Sequence, residues 1–299
     1  SSRLSVFAEQ FIDDSLGSAS SCPRREPGIM TVACEEMFPW EFTEAIARTP
    51  IGYLPLGVLE WHGEHAAIGL DSIKAHAVCM KAAAISGGVV LPALYWATDT
   101  REDLEDGSYL TGGIEKGERY HVPGSMFWLQ PDTYRRLLLD IYEAMRRRGF
   151  EVIIVLSGHW SRSGNLPVIE ESGRIFLGQQ PEMRWCLLTD QDIVPDLHYP
   201  REHAAGGETS LLMAIRPDLV DLSRTLATDD LLRSSYASMP EHLERRRETD
   251  SKYIGVKTGV EDDTNDPELT ASAQRGRHLL AVISERVAAR AQALLPSAR

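Results

Sequence analysis

The chain has little cysteine, and what it has is scattered. Its four cysteines are Cys22, Cys34, Cys79 and Cys186, and no two of them form a C-x-x-C pair. This spacing excludes a disulfide-rich scaffold and argues against a thiolate zinc site, because both need closely spaced cysteines. We therefore expect these cysteines to be reduced and mostly buried.

Long apolar runs are also missing. No stretch approaches the roughly 18 apolar residues that a membrane span needs, although 43% of the 299 residues are hydrophobic. Residues 1–21 lack the charged start and the continuous apolar block of a cleavable signal. The sequence thus favours a globular, cytoplasmic protein.

Positive charge is scarce as well, because the formal net charge at pH 7 is −13. Nucleic acids and anionic membranes are bound by clustered Lys and Arg. The one basic run, residues 146–148, is expected at a helix end, where cations complement the helix dipole. We therefore expect neither a nucleic acid nor a membrane as a partner.

Beyond residue 30, short apolar runs alternate with helical patterns. This β-α-β rhythm predicts a single α/β domain, with a mostly parallel sheet and helices on both faces. Ligands of such sheets collect at the carboxyl ends of the strands. The predicted strands lie near residues 52–59, 88–94, 152–156 and 183–190, and the predicted helices near 72–85, 131–148, after 165, and 269–295.

Two segments depart from this rhythm. Residues 1–30 are predicted to be an N-terminal extension, ordered only by contacts with the body or with a neighbouring subunit, so that the domain proper runs over residues 31–299. Residues 99–122 are rich in Asp, Glu and Gly and have no sustained period. They predict a loop that shapes a pocket.

Metal-capable side chains follow the first predicted strand. If its extended geometry continues, Glu60 and His62 point to the same side. Glycines between His62 and Asp71 let the backbone turn, so that Asp71 can return to this place at the start of the next helix. Carboxylate, imidazole and carboxylate form a ligand set that suits zinc, manganese, iron or cobalt.

Two further pieces lie at the ends of predicted elements. His159 follows the apolar run 152–156, and His203 and Glu208 precede an apolar helix. Taken singly, such a histidine is more often structural, and such a glutamate usually serves the helix N-terminus. Three such pieces in one chain together favour a site that carries chemistry.

The motifs around these residues resemble those of the creatininase family, also called creatinine amidohydrolases. The family motif E-x-H-G-x-H with a downstream Asp matches residues 60–65 and Asp71. The motif N-G-H-x-x-N appears as residues 157–159 with Asn165 displaced. H-A-(G/A)-x-x-E-T-S, followed by P-D-L-V, matches residues 203–210 and 217–220, and residues 121–125 are a further echo. The resemblance covers residues 35 to 285 or so, and its ordered motifs are specific for the family.

The resemblance implies a three-layer sandwich that holds one or two divalent ions, zinc, manganese or iron. Asp71 would bridge a metal pair, Glu60 and His159 would complete one ion, and His62 would contribute to the other, with a shared hydroxide as the nucleophile. Creatininase has a glutamate ligand two positions after the motif histidine, where this chain has Ser161. The second ion would therefore be weaker, differently ligated, or dependent on Glu208 or water.

The resemblance also implies the catalytic and substrate-binding residues. His203 matches the candidate general acid, which would protonate a leaving nitrogen, and Glu208 would act beside it by orienting a ligand. Closed oligomers are common in the family, often hexamers, so a homo-oligomer is expected. The candidate substrate-binding residues are Trp160, Ser161, Tyr199 and His121, and packing or a turn is the alternative role for Trp160, Tyr199 and His121.

Three functions remain open at this point. The first is hydrolysis of a nonpeptide carbon–nitrogen bond in a small polar compound, such as an amide, a cyclic amide or a formamide. The second is hydrolysis of a carbon–carbon bond in a cyclic ketone such as an oxidised inositol, since the acidic stretch 102–118 offers hydrogen-bond acceptors. The third is a metal-binding partner protein that has lost catalysis, as Ser161 and the shifted Asn165 suggest.

Overall fold

A computed structural model describes residues 31–99, 127–162, 164–190, 192–197, 203–225 and 266–296, with the backbone of four short strands between residues 101 and 119. The strands are β1 (Ile51–Leu56), β2 (Val89–Val90), β3 (Arg101–Asp103), β4 (Tyr109–Thr111), β5 (Ile114–Glu115), β6 (Glu118–Arg119), β7 (Val152–Ser157) and β8 (Arg184–Thr189). The helices are α1 (Pro39–Arg48), α2 (Leu70–Ser86), α3 (Pro131–Arg147), α4 (Asn165–Gln179), α5 (Gly206–Ile215), α6 (Pro267–Thr270) and α7 (Ala273–Ala293), and short 3-10 turns cover Cys34–Glu36, Pro217–Leu219 and Leu222–Arg224.

Four parallel strands form the central sheet, in the order β2-β1-β7-β8. Ile51 of β1 lies opposite Val152 of β7, which in turn lies opposite Arg184 of β8. All residues of β1 and β7 are buried, as expected for strands with helices on both faces. Because the strands are parallel and in register, their carboxyl ends meet at one edge of the sheet.

Side chains alternate along β1 and β7 between two apolar layers. Tyr53 and Ile154 belong to a buried cluster that includes residues of α2, α5 and α7. Leu54 and Ile153 point into a second cluster with residues of α1, α3 and α4. The predicted three-layer α/β sandwich is confirmed for the unit that begins at Thr31. The predicted extension, residues 1–30, lies outside the described residues.

Several predicted boundaries are wrong, although the elements exist. β1 ends at Leu56 rather than near residue 59, and β2 has two residues rather than seven. The stretch 99–122 is not a plain loop, because it holds two antiparallel strand pairs, β3 with β4 and β5 with β6. The predicted terminal helix is two helices, because Ser272 accepts a hydrogen bond from the Arg275 N–H and begins a new one.

The structure confirms the predicted position of the basic run but only part of the prediction about the cysteines. Arg146 and Arg147 lie in the last turn of α3, where both pair with Glu143. Cys79 is buried, but Cys34 and Cys186 are only half-buried, so the expectation of mostly buried cysteines is too strong. Within the described residues, no helix is both long and apolar enough to cross a membrane.

Candidate metal centre

The loop after β1 carries Glu60 and His62 into the edge of the sheet. The two residues are not part of an extended strand, but they still lie together, because His62 Nδ1 donates a hydrogen bond to the Glu60 carbonyl oxygen at 3.1 Å. A carbonyl oxygen only accepts, so this bond fixes the proton on Nδ1. It leaves His62 Nε2, which has no hydrogen-bond partner among the described residues, to face a ligand.

Asp71 lies in the first turn of α2, as predicted, and is 1% exposed. Its two oxygens face two different imidazoles. Oδ1 is 3.3 Å from His62 Nε2, and Oδ2 is 3.3 Å from His159 Nδ1. This is the arrangement that a carboxylate bridging two cations needs.

His159 follows β7 and is also buried. Its Nδ1 lies 3.0 Å from Glu60 Oε2, and its Nε2 lies 3.2 Å from Asp99 Oδ2. Asn165 holds this loop in place, because its side-chain amide donates to the His159 carbonyl at 3.2 Å and accepts from the Ser161 N–H at 3.1 Å. The displaced asparagine therefore supports the loop that carries His159.

Glu208 lies in the first turn of α5 and is 4% exposed. Its Oε2 is 3.9 Å from His62 Nε2 and accepts a hydrogen bond from the Ala204 N–H at 2.9 Å. Its Oε1 accepts a hydrogen bond from the Lys74 ammonium. Lys74 also lies 3.1 Å from Asp190 Oδ2.

Three residues of this cluster are additions to the sequence-predicted set. Asp190 directly follows β8, so its signal was a carboxylate at a strand end. Lys74 is three residues after Asp71 on α2, a spacing that places both on one helix face. Asp99 carries no comparable signal, since it opens a stretch crowded with acidic residues.

The buried carboxylates strongly favour positively charged groups next to them. Burial would lower the pKa of His62, but the carboxylates of Asp71, Glu208 and Glu60 outweigh this and raise it to about 9. The pKa of His159 likewise rises well above its usual value despite burial, through Glu60, Asp99 and Asp71. A cation is therefore favoured in this cluster.

Burial alone would raise the pKa of Asp71, but His62, His159 and Lys74 hold it well below its usual range. The pKa of Glu208 is also lowered, because Lys74 and His62 overcome its burial. Both carboxylates are thus ionised and able to bind a cation.

The donor set fits divalent metal ions. Among the described residues, two groups with convergent donor atoms are of interest: a first position, made by Glu60, Asp99 and His159, and a second position, made by His62, Asp71 and Glu208. Asp71 Oδ2 and His62 Nε2 are buried and lack hydrogen-bond partners among the described residues. Imidazole nitrogens and carboxylate oxygens are the donors that zinc and manganese take.

His203 lies beside the second position. Its ring centroid is 4.6 Å from that of His62, and its Nε2 donates a hydrogen bond to the Trp61 carbonyl oxygen at 2.6 Å. With Nε2 protonated and engaged, Nδ1 is the nitrogen left for a substrate. Donor atoms of His203, His62 and Glu60 also converge as a third metal-capable group.

The predicted substrate-binding residues are only partly described. Trp160 is half-buried next to His159, and the Arg162 guanidinium lies 4.7 Å from the centre of its ring. Ser161 is 6% exposed, and its hydroxyl has no partner among the described residues. Tyr199 and His121 lie outside the described residues.

His65, the last residue of the first motif, lies under the centre. Its Nε2 donates to the Ala204 carbonyl oxygen at 3.0 Å and lies 3.2 Å from Thr209 Oγ1, which ties the loop after β1 to α5. Burial lowers the pKa of His65 to about 4. This histidine is therefore neutral and structural near neutral pH.

Comparisons with known proteins place the chain in a family. The family model for creatininase, described as creatinine amidohydrolase, matches residues 35–291. The chain belongs to the creatininase family. This confirms the resemblance seen in the motifs and, with it, the expectation of a metal-dependent amidohydrolase of the creatininase type.

Individual relatives agree with this assignment. A creatinine amidohydrolase from Pseudomonas putida is 27% identical in an alignment of 188 residues that covers 58% of this chain and 67% of the relative. A mutant creatininase of Zn-Zn type has a TM-score of 0.63 at 24% identity and covers 90% of this chain and 100% of its own. A creatininase with manganese has a TM-score of 0.62 at 23% identity, covering 89% of this chain and 100% of its own. At this identity the solved structures support the fold.

Proposed function

We propose that this protein uses divalent metal to hydrolyse a nonpeptide carbon–nitrogen bond in a small polar substrate, such as an amide, a cyclic amide or a formamide. The observation that carries the proposal is Asp71, whose two oxygens face His62 and His159 at equal distance inside a buried, acidic cluster. Family membership supports the reaction class.

The proposed ligands are Glu60, His62, Asp71 and His159. A divalent ion bound by them would polarise the carbonyl group of the substrate and lower the pKa of a water molecule. Zinc and manganese are the proposed metals, since related solved structures carry those names.

The remaining residues act on the substrate and its protons. His203 keeps its ring in place because Nε2 donates to the Trp61 carbonyl oxygen, and Nδ1 would take up the proton released by the attacking water and then donate it to the leaving nitrogen. Glu208 accepts from Lys74 and the Ala204 N–H, so it is held rigidly beside His62. Trp160 and Ser161 are proposed to line the substrate side, because they follow His159 directly.

The proposal is tested by combining metal analysis with a product screen. The protein, loaded with zinc or manganese, is incubated with creatinine, other cyclic amides and formamides, and release of amine, ammonia or formate is measured. Asp71→Ala is expected to lose both turnover and bound metal, whereas Asp132→Ala, which removes an exposed carboxylate on α3, retains both. Full metal content in Asp71→Ala contradicts the bridging role.

Neither alternative function gains support from the comparisons. The same screen separates them from the proposal. A new carboxylate without nitrogen loss, formed from a cyclic polyhydroxylated ketone, indicates carbon–carbon hydrolysis. Metal binding without turnover of any compound tested favours the partner protein that has lost catalysis.

A further inference from the structure

Lys74 is a buried ammonium group inside the carboxylate cluster, and the proposed hydrolysis assigns it no step. It is 1% exposed. Its Nζ lies 3.1 Å from Asp190 Oδ2 and 3.7 Å from Asp71 Oδ1, and it donates a hydrogen bond to Glu208 Oε1. A lysine is buried this deeply only when its charge is compensated.

Two of these three carboxylates belong to the second position. Asp71 Oδ1, the oxygen nearest Lys74, is also the oxygen that faces His62. Glu208 presents Oε1 to Lys74 and Oε2 to the side of His62. The ammonium group and a second metal ion would therefore interact with the same two carboxylates.

Both carboxylate oxygens of Glu208 already accept hydrogen bonds. Oε1 accepts from Lys74, and Oε2 accepts from the Ala204 N–H at 2.9 Å. A divalent ion at the second position would share these oxygens and lie close to a fixed positive charge. Like charges repel strongly in the weakly polar interior, where water does not screen them.

We propose that Lys74 is a built-in cation at the second position, which weakens the binding of a divalent ion there and makes the two metal positions unequal. One ion is held at the first position, with Asp71 Oδ2 nearby, and the second ion is exchangeable. This inference rests on the proposed metal-dependent function. Its test measures metal binding, so a failed search for a substrate leaves it standing.

The wild-type protein supplies the first test. Metal is removed with a chelator, and the protein is titrated with Mn²⁺ or Zn²⁺ while bound ion is measured. We expect one tight ion per chain and a second ion that binds at least tenfold more weakly. Two ions of equal affinity overturn the proposal.

Lys74→Met supplies the second test, because methionine retains an unbranched side chain as far as Cε and removes the charged nitrogen. The second ion is expected to bind at least tenfold more tightly, and metal content after dialysis to rise towards two ions per chain. Lys81→Met, an exposed change on the same helix, is the matched control and is expected to match the wild type. Unchanged or weaker binding of the second ion in Lys74→Met overturns the proposal.

Lys74→Met also leaves Asp190 without its ammonium contact, so a variant that does not lose this contact is needed. Glu208→Gln keeps an oxygen for Lys74 and removes one negative charge from the second position. The second ion is expected to bind more weakly in Glu208→Gln, with the first unaffected. Equal weakening of both ions overturns the proposal.

Discussion

Asp99 contacts the nitrogen of His159 that faces away from Glu60. Its Oδ2 lies 3.2 Å from Nε2, whereas Glu60 Oε2 lies 3.0 Å from Nδ1. A carboxylate behind a ligating imidazole fixes the orientation of the ring and strengthens it as a donor. Asp99 is itself a metal-capable neighbour of the first position, and in either role its charge supports a cation there.

Replacing Asp99 by Asn is therefore expected to weaken the tightest metal-binding step by about 10- to 100-fold. The measurement is a dissociation constant obtained by competition with a chelator of known affinity. Asp132→Asn removes a carboxylate from the exposed end of α3 and serves as the control. An Asp99→Asn variant that binds the first ion as the wild type does would show that this carboxylate is dispensable.

His65 gives a pH dependence of stability. Burial lowers its pKa to about 4 from an unfolded value of about 6.5, so the unfolded chain binds the proton more readily. The contribution of neutral His65 to the free energy of unfolding is complete above pH 6.5. This contribution decreases as the pH falls towards 4, by up to about 3 kcal/mol. Urea unfolding of metal-free wild type and His65→Gln between pH 7 and pH 4 measures this. Parallel pH profiles for the two proteins would rule out the assigned role.

The sequence alone predicted the residues that lie in spaced motifs. Glu60, His62, Asp71 and His159 were found because each follows a recognisable strand or begins a helix. Lys74 was missed for a physical reason: a lysine on a helix is normally solvated, and α2 is apolar on most sides, so its pattern does not reveal which face meets the cluster.

At the level of elements, β7 and α2 approach each other at Gly158. A Cβ atom added to Gly158 would lie 2.2 Å from the Asp71 carbonyl oxygen and 2.9 Å from its carbonyl carbon. Both are backbone atoms of the first turn of α2, which cannot move aside without moving Asp71. The glycine therefore sets the distance between the loop that carries His159 and Asp71.

Gly158→Ala is expected to lower the free energy of unfolding by about 1–3 kcal/mol, through overpacking, and to weaken metal binding at both positions. Gly178→Ala on α4 is the matched control, since a Cβ atom there meets nothing within 4 Å. That variant is expected to be neutral or stabilised by up to about 1 kcal/mol, because alanine favours helices. Denaturant unfolding and metal titration of both variants check this pair, and a Gly158→Ala protein with wild-type metal affinity would contradict it.

Element boundaries depended on contacts that the sequence does not display. At the end of β1, Leu56 pairs with Leu94 in an isolated parallel bridge, and the Gly57 N–H donates to the Leu94 carbonyl oxygen. The apolar run near residues 88–94 pairs as a strand only at Val89 and Val90. The alternation of apolar and helical patterns was sufficient for the fold class, because it depends on burial rather than on these single bonds.

For the whole molecule, the decisive quantity is the charge buried in the described centre. Five carboxylates, each at most 7% exposed, lie there with one ammonium group: the acidic residues are Glu60, Asp71, Asp99, Asp190 and Glu208. Buried charge of one sign is costly unless a counter-charge is present. A divalent ion bound in this centre would therefore contribute to folding stability.

Chelation is accordingly expected to lower the midpoint of thermal unfolding by roughly 5–15 °C, since saturation at about 1,000 times the dissociation constant contributes about 4 kcal/mol. Differential scanning calorimetry with and without chelator measures the shift. Added Zn²⁺ or Mn²⁺ should restore the original midpoint. An identical midpoint in the chelated protein would mean that protons on His62 and His159 compensate the cluster just as well.

The centre draws on six separate parts of the chain, from the loop after β1 at Glu60 to the first turn of α5 at Glu208. Contacts so far apart in sequence form late, because their loop-closure entropy must be overcome first. The complete donor set thus arises only when sheet and helices have docked. The complete site is therefore not available to an ion early in folding, and the rate at which the native metal affinity appears during refolding reports when the native topology is complete.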